Sequence, residues 1–218
     1  VIWFSIFIAT AAAPMANINA AEPPDHGLYA WYRDDGIRAR GPQIQSWENA
    51  LKSPTNRTLN RLVGKPQWVR VKTGEVSRGI VRLNGSAAIW QAVGAWGTIT
   101  GPRTIVVHAR IDEKSLGVLL DGSTRVGSTP VERQGDKWKT LAAVSREPIG
   151  GQWQTYTFTF AEGSTALGGL ILGSNVATQQ PLACDLAEVL VYTRILSADE
   201  IAAIEQHLRE KWRDIKEL

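Results

Sequence analysis

Residues 185–212 read "DLAEVLVYTRILSADEIAAIEQHLREKW", and two periodicities meet inside them. "DLAEVLVY" reads as a strand. On a regular strand Asp185 and Glu188, three positions apart, point to opposite faces. Glu188 then falls on the face of Leu186, Leu190 and Tyr192, among apolar neighbours. It is expected to act as a structural partner to an arginine, Arg194 or Arg82, since a buried carboxylate needs a paired charge. After the strand, Ser197 is a good N-cap and Glu200, three residues on, completes a capping box. Asp199 and Glu200 also suit the positive end of a helix. Ile201, Ile204, Leu208 and Trp212 recur at spacings of three and four, so the pattern predicts a helix over 198–213 with one apolar stripe. A sheet face or sandwich edge is the natural cover for that stripe. A membrane surface fits less well, because the stripe is narrow and the polar face mixes acids with bases.

Upstream, short β-type runs follow one another with turn residues between them. "LYAWYR" at 28–33 alternates, and 34–66 reads as loops with one short strand around "QIQSW". "WVRVK", "GIVRLNG", "AAIWQAV", "TIVVHARI", "LGVLLDG" and "WKTLAAV" are further strands, several closed by Asn-Gly or Asp-Gly turns. "QWQTYTFTF" at 152–160 puts Tyr156, Phe158 and Phe160 on one face and Thr155, Thr157 and Thr159 on the other, the mark of a half-buried antiparallel strand. With no helical pattern between strands, the plan is all-β: an antiparallel β-sandwich of jelly-roll type with one C-terminal amphipathic helix.

The chain has 218 residues, 44% hydrophobic and 21% charged, with a net charge of +3. It is long enough to bury a substantial core, and too mildly and evenly basic to argue for nucleic acid. The single cysteine, Cys184, excludes an internal disulfide. Residues 1–16 are almost wholly apolar, and Ile18 and Ala20 fit the positions before a cleavage point, so 1–20 reads as a signal peptide or a retained membrane-anchoring segment. Residues 21–27 are a linker and 28–218 a single domain. The expected location is exported: periplasmic or extracellular, or membrane-anchored if residues 1–16 are kept.

Catalytic sets are hard to find. "NGSAA" and "DGSTR" do not fit a nucleophile elbow. Cys184 reads as a small buried residue. His26, His108 and His207 have no metal-ligand spacing, with His108 in a packed or surface strand position. The Asp34-Asp35-Gly36 and Asp121-Gly122 turns are the places where calcium would find oxygens; otherwise no cofactor is expected. Glycoside cleavage needs two carboxyl groups facing each other across the sugar, and a regular strand keeps Asp185 and Glu188 from being that pair. Among the nine tryptophans, Trp90 and Trp96 are the candidate ligand or partner contacts, with core packing as the competing role.

"GLYAWYR", "IQSW", "GIVRLNG" and the closing stretch together resemble the laminin-G-like, concanavalin-A-like jelly-roll modules of bacterial extracellular proteins. The resemblance covers residues 27–213. Trp31, Trp47, Arg82 through Gly85, Ala187 to Val189, Arg194 to Ser197 and Lys211-Trp212 carry it. It implies two antiparallel sheets and a non-catalytic role in recognition or assembly. Glu188, Arg194, Ser197, Glu200 and Trp212 are then structural motif residues. The expectation is therefore a recognition or scaffolding module, not an enzyme, that binds a protein partner or a glycan. The alternative is a membrane-anchored accessory subunit of a larger membrane complex, and a glycoside hydrolase ranks third.

Overall fold

A computed structural model describes residues 22–51, 57–91, 96–123 and 130–218. The expected leader, 1–20, and the middle of the "IWQAVGAWG" segment lie outside the described residues. The strands, in chain order, are β1 (Leu28–Arg40), β2 (Gln43–Asn49), β3 (Leu59–Val63), β4 (Gln67–Thr73), β5 (Val76–Asn84) and β6 (Ala88–Gln91). There follow β7 (Thr98–Ile99), β8 (Arg103–Ile111), β9 (Gly117–Asp121), β10 (Val131–Gln134), β11 (Lys137–Lys139) and β12 (Ala143–Val144). The last group is β13 (Trp153–Phe160), β14 (Leu167–Gly168), β15 (Leu170–Leu172), β16 (Ala183–Tyr192), the helix α1 (Ala198–Lys211) and β17 (Lys216–Glu217). The all-β expectation holds. Every pairing between named strands is antiparallel, and the ladder closes on itself: β1 pairs with β2, β2 with β4, β4 with β5, β5 with β16, and β16 with β1.

β16 and β8 lie at the centre and are buried nearly throughout, so their exposure does not alternate. Both of their faces are covered. One face carries Ile105, Val107, Ala109, Leu186, Val189 and Val191 into the main apolar cluster, which Tyr156, Phe158 and Phe160 of β13 also join. The other carries Val106, Ala187, Leu190 and Tyr192 into a second cluster under α1, which contributes Ile204, Leu208 and, just past its end, Trp212. The stripe legible in the sequence is the stripe that packs. Truncating a buried leucine of this kind to alanine costs about 2–5 kcal/mol.

The helix start also forms as read. Ser197 Oγ accepts from the Glu200 amide at 3.3 Å, and the Ser197 amide donates to Glu200 Oε2 at 2.9 Å. Arg194 adds a two-pronged contact to the Glu200 carboxylate, at 2.8 and 2.6 Å. That guanidinium and the Ser197 amide pull the Glu200 carboxyl down to about 2. α1 ends at Lys211, close to the expected boundary, and among the described residues no helix is long and apolar enough to cross a membrane.

Two local expectations are corrected. Residues 34–40 are strand, not loop: β1 runs on to Arg40 and forms a hairpin with β2. Gly36 therefore lies within a ladder, where a Cβ would meet Glu48 O at 2.4 Å, so close packing accounts for the glycine. The second correction concerns β16. Its register against β8 steps from Leu186↔Ala109 directly to Glu188↔His108, so Ala187 is an extra residue. Such a bulge breaks the period of two. Leu186 turns into the main core, and Ala187 and Glu188 both face α1. Asp185 consequently shares a sheet side with Glu188, where a regular strand would have opposed them.

Candidate functional site

On the α1 side of the sheet, past the point where β17 returns, β5, β8 and β16 each present one charged residue. Registers Asp185↔Arg82 and Asp185↔Arg110 set an acid on the middle strand between two guanidinium groups. Arg82 donates to Asp185 through Nε at 2.8 Å and Nη2 at 3.0 Å, and Arg110 through Nε at 3.1 Å and Nη2 at 2.5 Å. Asp185 is 4% exposed; the arginines keep one edge toward solvent. Glu217, on β17, closes the group. It accepts from Arg82 Nη1 at 3.3 Å, from Arg82 Nη2, and from Arg110 Nη2 at 2.8 Å. The two guanidinium groups, Arg82 first, hold the Glu217 carboxyl below the usual carboxylate range.

Arg82, Arg110 and Asp185 border an open cleft of about 690 Å³, whose lining also includes Asn84, Asp112 and Glu113. That is within the usual size range of small-molecule sites. Asp112 and Glu113 stand exposed on the β8–β9 loop. Arg133, only 5% exposed, braces that loop from beneath: it donates to Asp112 O at 2.5 Å, Ser115 O at 3.0 Å and Glu113 O at 3.1 Å. Gly151 closes the far end, its amide bonded to Ile111 O at 2.7 Å. Cys184 also borders the cleft, but burial raises its thiol pKa far above the ordinary value, as befits a packing residue.

The sequence-nominated residues lie elsewhere. Glu188 is fully buried and, among the described residues, forms no ion pair with an arginine. Its carboxylate accepts from Trp31 Nε1 at 2.7 Å and Trp212 Nε1 at 3.0 Å and meets the Lys211 ammonium. This clasp ties β1, β16 and the end of α1 together, and it replaces the expected Arg194 or Arg82 contact. Arg194, Ser197, Glu200 and Trp212 are where the motif reading put them, in the cap and stripe of α1. Trp96 is 1% exposed, stacked 6.3 Å from Tyr32 in the main core; it is a packing residue. Trp90 is half-buried on β6, between β3 and β15. Among the described residues, no three His, Cys, Asp or Glu side chains converge as a metal site. Asp121 of the second proposed calcium turn is buried and accepts from Gly122 N and Val176 N. The Arg82–Arg110–Asp185–Glu217 group escaped notice because its members come from four separated segments. The one local signal was Asp185, a lone acid entering an apolar strand.

The sequence matches no protein-family model and no curated protein. Solved structures of similar shape do exist. A Trypanosoma rangeli sialidase mutant displaying trans-sialidase activity is 17% identical, covering 88% of this chain and 34% of that one, with a TM-score of 0.57. An α-L-arabinofuranosidase mutant soaked with 4-nitrophenyl α-L-arabinofuranoside is 9% identical over 81% of this chain and 52% of its own, with a TM-score of 0.63. An arabinofuranosidase complexed with arabinofuranosyl-α-1,2-xylobiose is 10% identical, covering 78% and 51%, at 0.60. This chain thus spans a third to a half of the proteins it resembles, and at such identities the likeness establishes fold alone. It corrects the expectation of a non-catalytic recognition or scaffolding module that is not an enzyme, because the neighbours are glycoside-cleaving enzymes and point to the reading ranked third. The fold is one that β-rich glycoside hydrolases and sialidases share.

Proposed function

We propose that this chain acts on glycosides, with the sugar held in the Arg82–Arg110–Asp185 cleft. The observation that carries this reading is that the cleft presents carboxyl groups in two unlike settings. Asp185 is buried and fixed by four hydrogen bonds from two arginines. Asp112 and Glu113 are exposed on a loop that Arg133 braces. Glycosidic cleavage uses one carboxylate to face the oxocarbenium-like transition state and one carboxyl group to protonate the leaving oxygen. Asp185 suits the first role because four hydrogen bonds hold it in place, and Glu113 is assigned the second because it stands exposed on the cleft wall. Sialidase and arabinofuranosidase neighbours support the reaction class, and the cleft's size supports a sugar as occupant.

The finer fold expected from the sequence belongs to the same proposal: a concanavalin-A-like jelly roll. Apolar clusters on both faces of β8 and β16 support it, and an experimental structure with one closed barrel around a single interior would sink it.

Release of 4-nitrophenol from a panel of 4-nitrophenyl glycosides, the α-L-arabinofuranoside included, tests the activity. Glu113→Gln is expected to lower turnover at least 100-fold, at the lower end of what general acid catalysis contributes, with an unchanged unfolding midpoint. A folded protein that neither cleaves nor binds any glycoside in the panel would end this reading.

A further inference from the structure

Glu217 is an unusual member of the charged group. β17 is two residues long and both are exposed; it lies along β4 through Lys216↔Lys72 and Glu217↔Val71, with Leu218 N bonded to Arg70 O at 3.1 Å. The chain reaches β4 after a turn in which Asp214 takes a left-handed conformation (φ 54°). The Glu217 side chain is 46% exposed, whereas that of Asp185 is 6% exposed. Asp185 is therefore built into the sheet, and Glu217 is laid over the guanidinium pair from outside.

The charges make this overlay meaningful. Asp185 balances one of the two guanidinium groups, and Glu217 balances the other. The lining acids Asp112 and Glu113 form no ion pair with either arginine among the described residues, and Lys114 adds another cation to the cleft wall. Lifting Glu217 would leave one unmatched positive charge facing the cleft, with Arg82 Nη1 and an edge of Arg110 freed as donors. Two planar forks converging on one carboxylate are a strong and specific arrangement for that anion.

We propose that Glu217 occupies a subsite for the carboxylate of an acidic sugar, a uronate-type residue of the glycan, and that β17 is a detachable cover competing with it. Resting on the glycoside reading above, this assigns that cleft its substrate class. The adjoining space is large enough for a sugar ring, and Asn84, Asp112 and Glu113 offer hydroxyl partners beside the arginines. A cover that fills the subsite lowers apparent affinity by the fraction of time the subsite is free, so loosening it must tighten binding of the acidic ligand.

Titration calorimetry on the full chain with trigalacturonate and with the matched neutral galactose trisaccharide tests this. Glu217→Gln removes the competing charge at an exposed position. It is expected to tighten trigalacturonate binding about tenfold or more, with a much smaller change for the neutral sugar. Adding Arg110→Gln to that variant should abolish the gain, and circular dichroism would verify that the double variant is folded. Equal gains for acidic and neutral sugars, or none for either variant, would overturn the subsite. Triglutamate gaining as much as trigalacturonate would overturn the assignment to sugars. If neutral glycosides are bound or cleaved but trigalacturonate gains nothing, the subsite alone fails. If no glycan is bound at all, the glycoside reading fails with it.

Discussion

Glu188→Gln is the sharpest probe of what holds this molecule together. The native carboxylate serves two indole N–H donors with its two oxygens, Trp31 on one and Trp212 on the other, and also meets Lys211. A glutamine amide of the same shape keeps a single oxygen. One indole then faces an NH₂ group instead of an acceptor, and a buried unsatisfied donor costs about 1–3 kcal/mol. Lys211 loses its buried partner but keeps Asp34 at 3.3 Å. The combined loss should approach the roughly 3–5 kcal/mol observed when one member of a buried pair is removed. A domain is stable by only about 5–15 kcal/mol, so this is a large share. With a urea m-value of about 2 kcal/mol/M, the midpoint should fall by about 1.5–2.5 M. Tryptophan fluorescence reports the transition, since Trp31 and Trp212 lie in the clasp. A Glu188→Gln midpoint within about 0.3 M of the parent, on the same m-value, would refute the view that the clasp is an energetically committed contact.

Two further outcomes follow from other sites. His108 is 5% exposed, bonded to Thr155 at 2.9 Å, stacked between Trp153 and Trp212, with Arg146, Glu205 and Arg209 around the adjoining small cavity. Burial first, and Arg146 second, lower its pKa to about 3. The unfolded chain, near 6.5, binds the proton more readily, so this stabilisation is complete above pH 6.5 and drains away as pH falls toward 3. The slope is at most about 1.4 kcal/mol per pH unit. Urea midpoints should therefore drop between pH 7 and 4.5 by more in the parent than in His108→Gln, and parallel drops would contradict the burial argument. Ser197→Ala removes the acceptor of the Glu200 amide and should cost about 0.5–2 kcal/mol, read as a lower urea midpoint; no change would mean that Arg194 and Glu200 secure the helix start without the cap.

What the sequence determined by itself is what local chemistry controls. Period-two alternation in Trp153–Phe160 places Tyr156, Phe158 and Phe160 inward whatever strand lies alongside. Ser197 and Glu200 are three residues apart and start α1 through contacts local in the chain, Arg194 included, and the Ile204–Leu208–Trp212 stripe follows from helical geometry. The tertiary structure decided the rest. The extra residue at Ala187 arises from pairing with β8, so no pattern within "DLAEVLVY" could announce that Asp185 and Glu188 share a face. Glu188 met two indoles and a lysine rather than an arginine, because β1 and the end of α1 arrive there only once the ladder closes. Arg82 reaches Glu217 across 135 positions of chain, and Arg110 and Asp185 are neighbours only through strand register. Charged residues of this kind carry no periodic signature. Their meaning comes from which strands lie side by side, and that is settled by burying two apolar clusters on the two faces of one pair of strands.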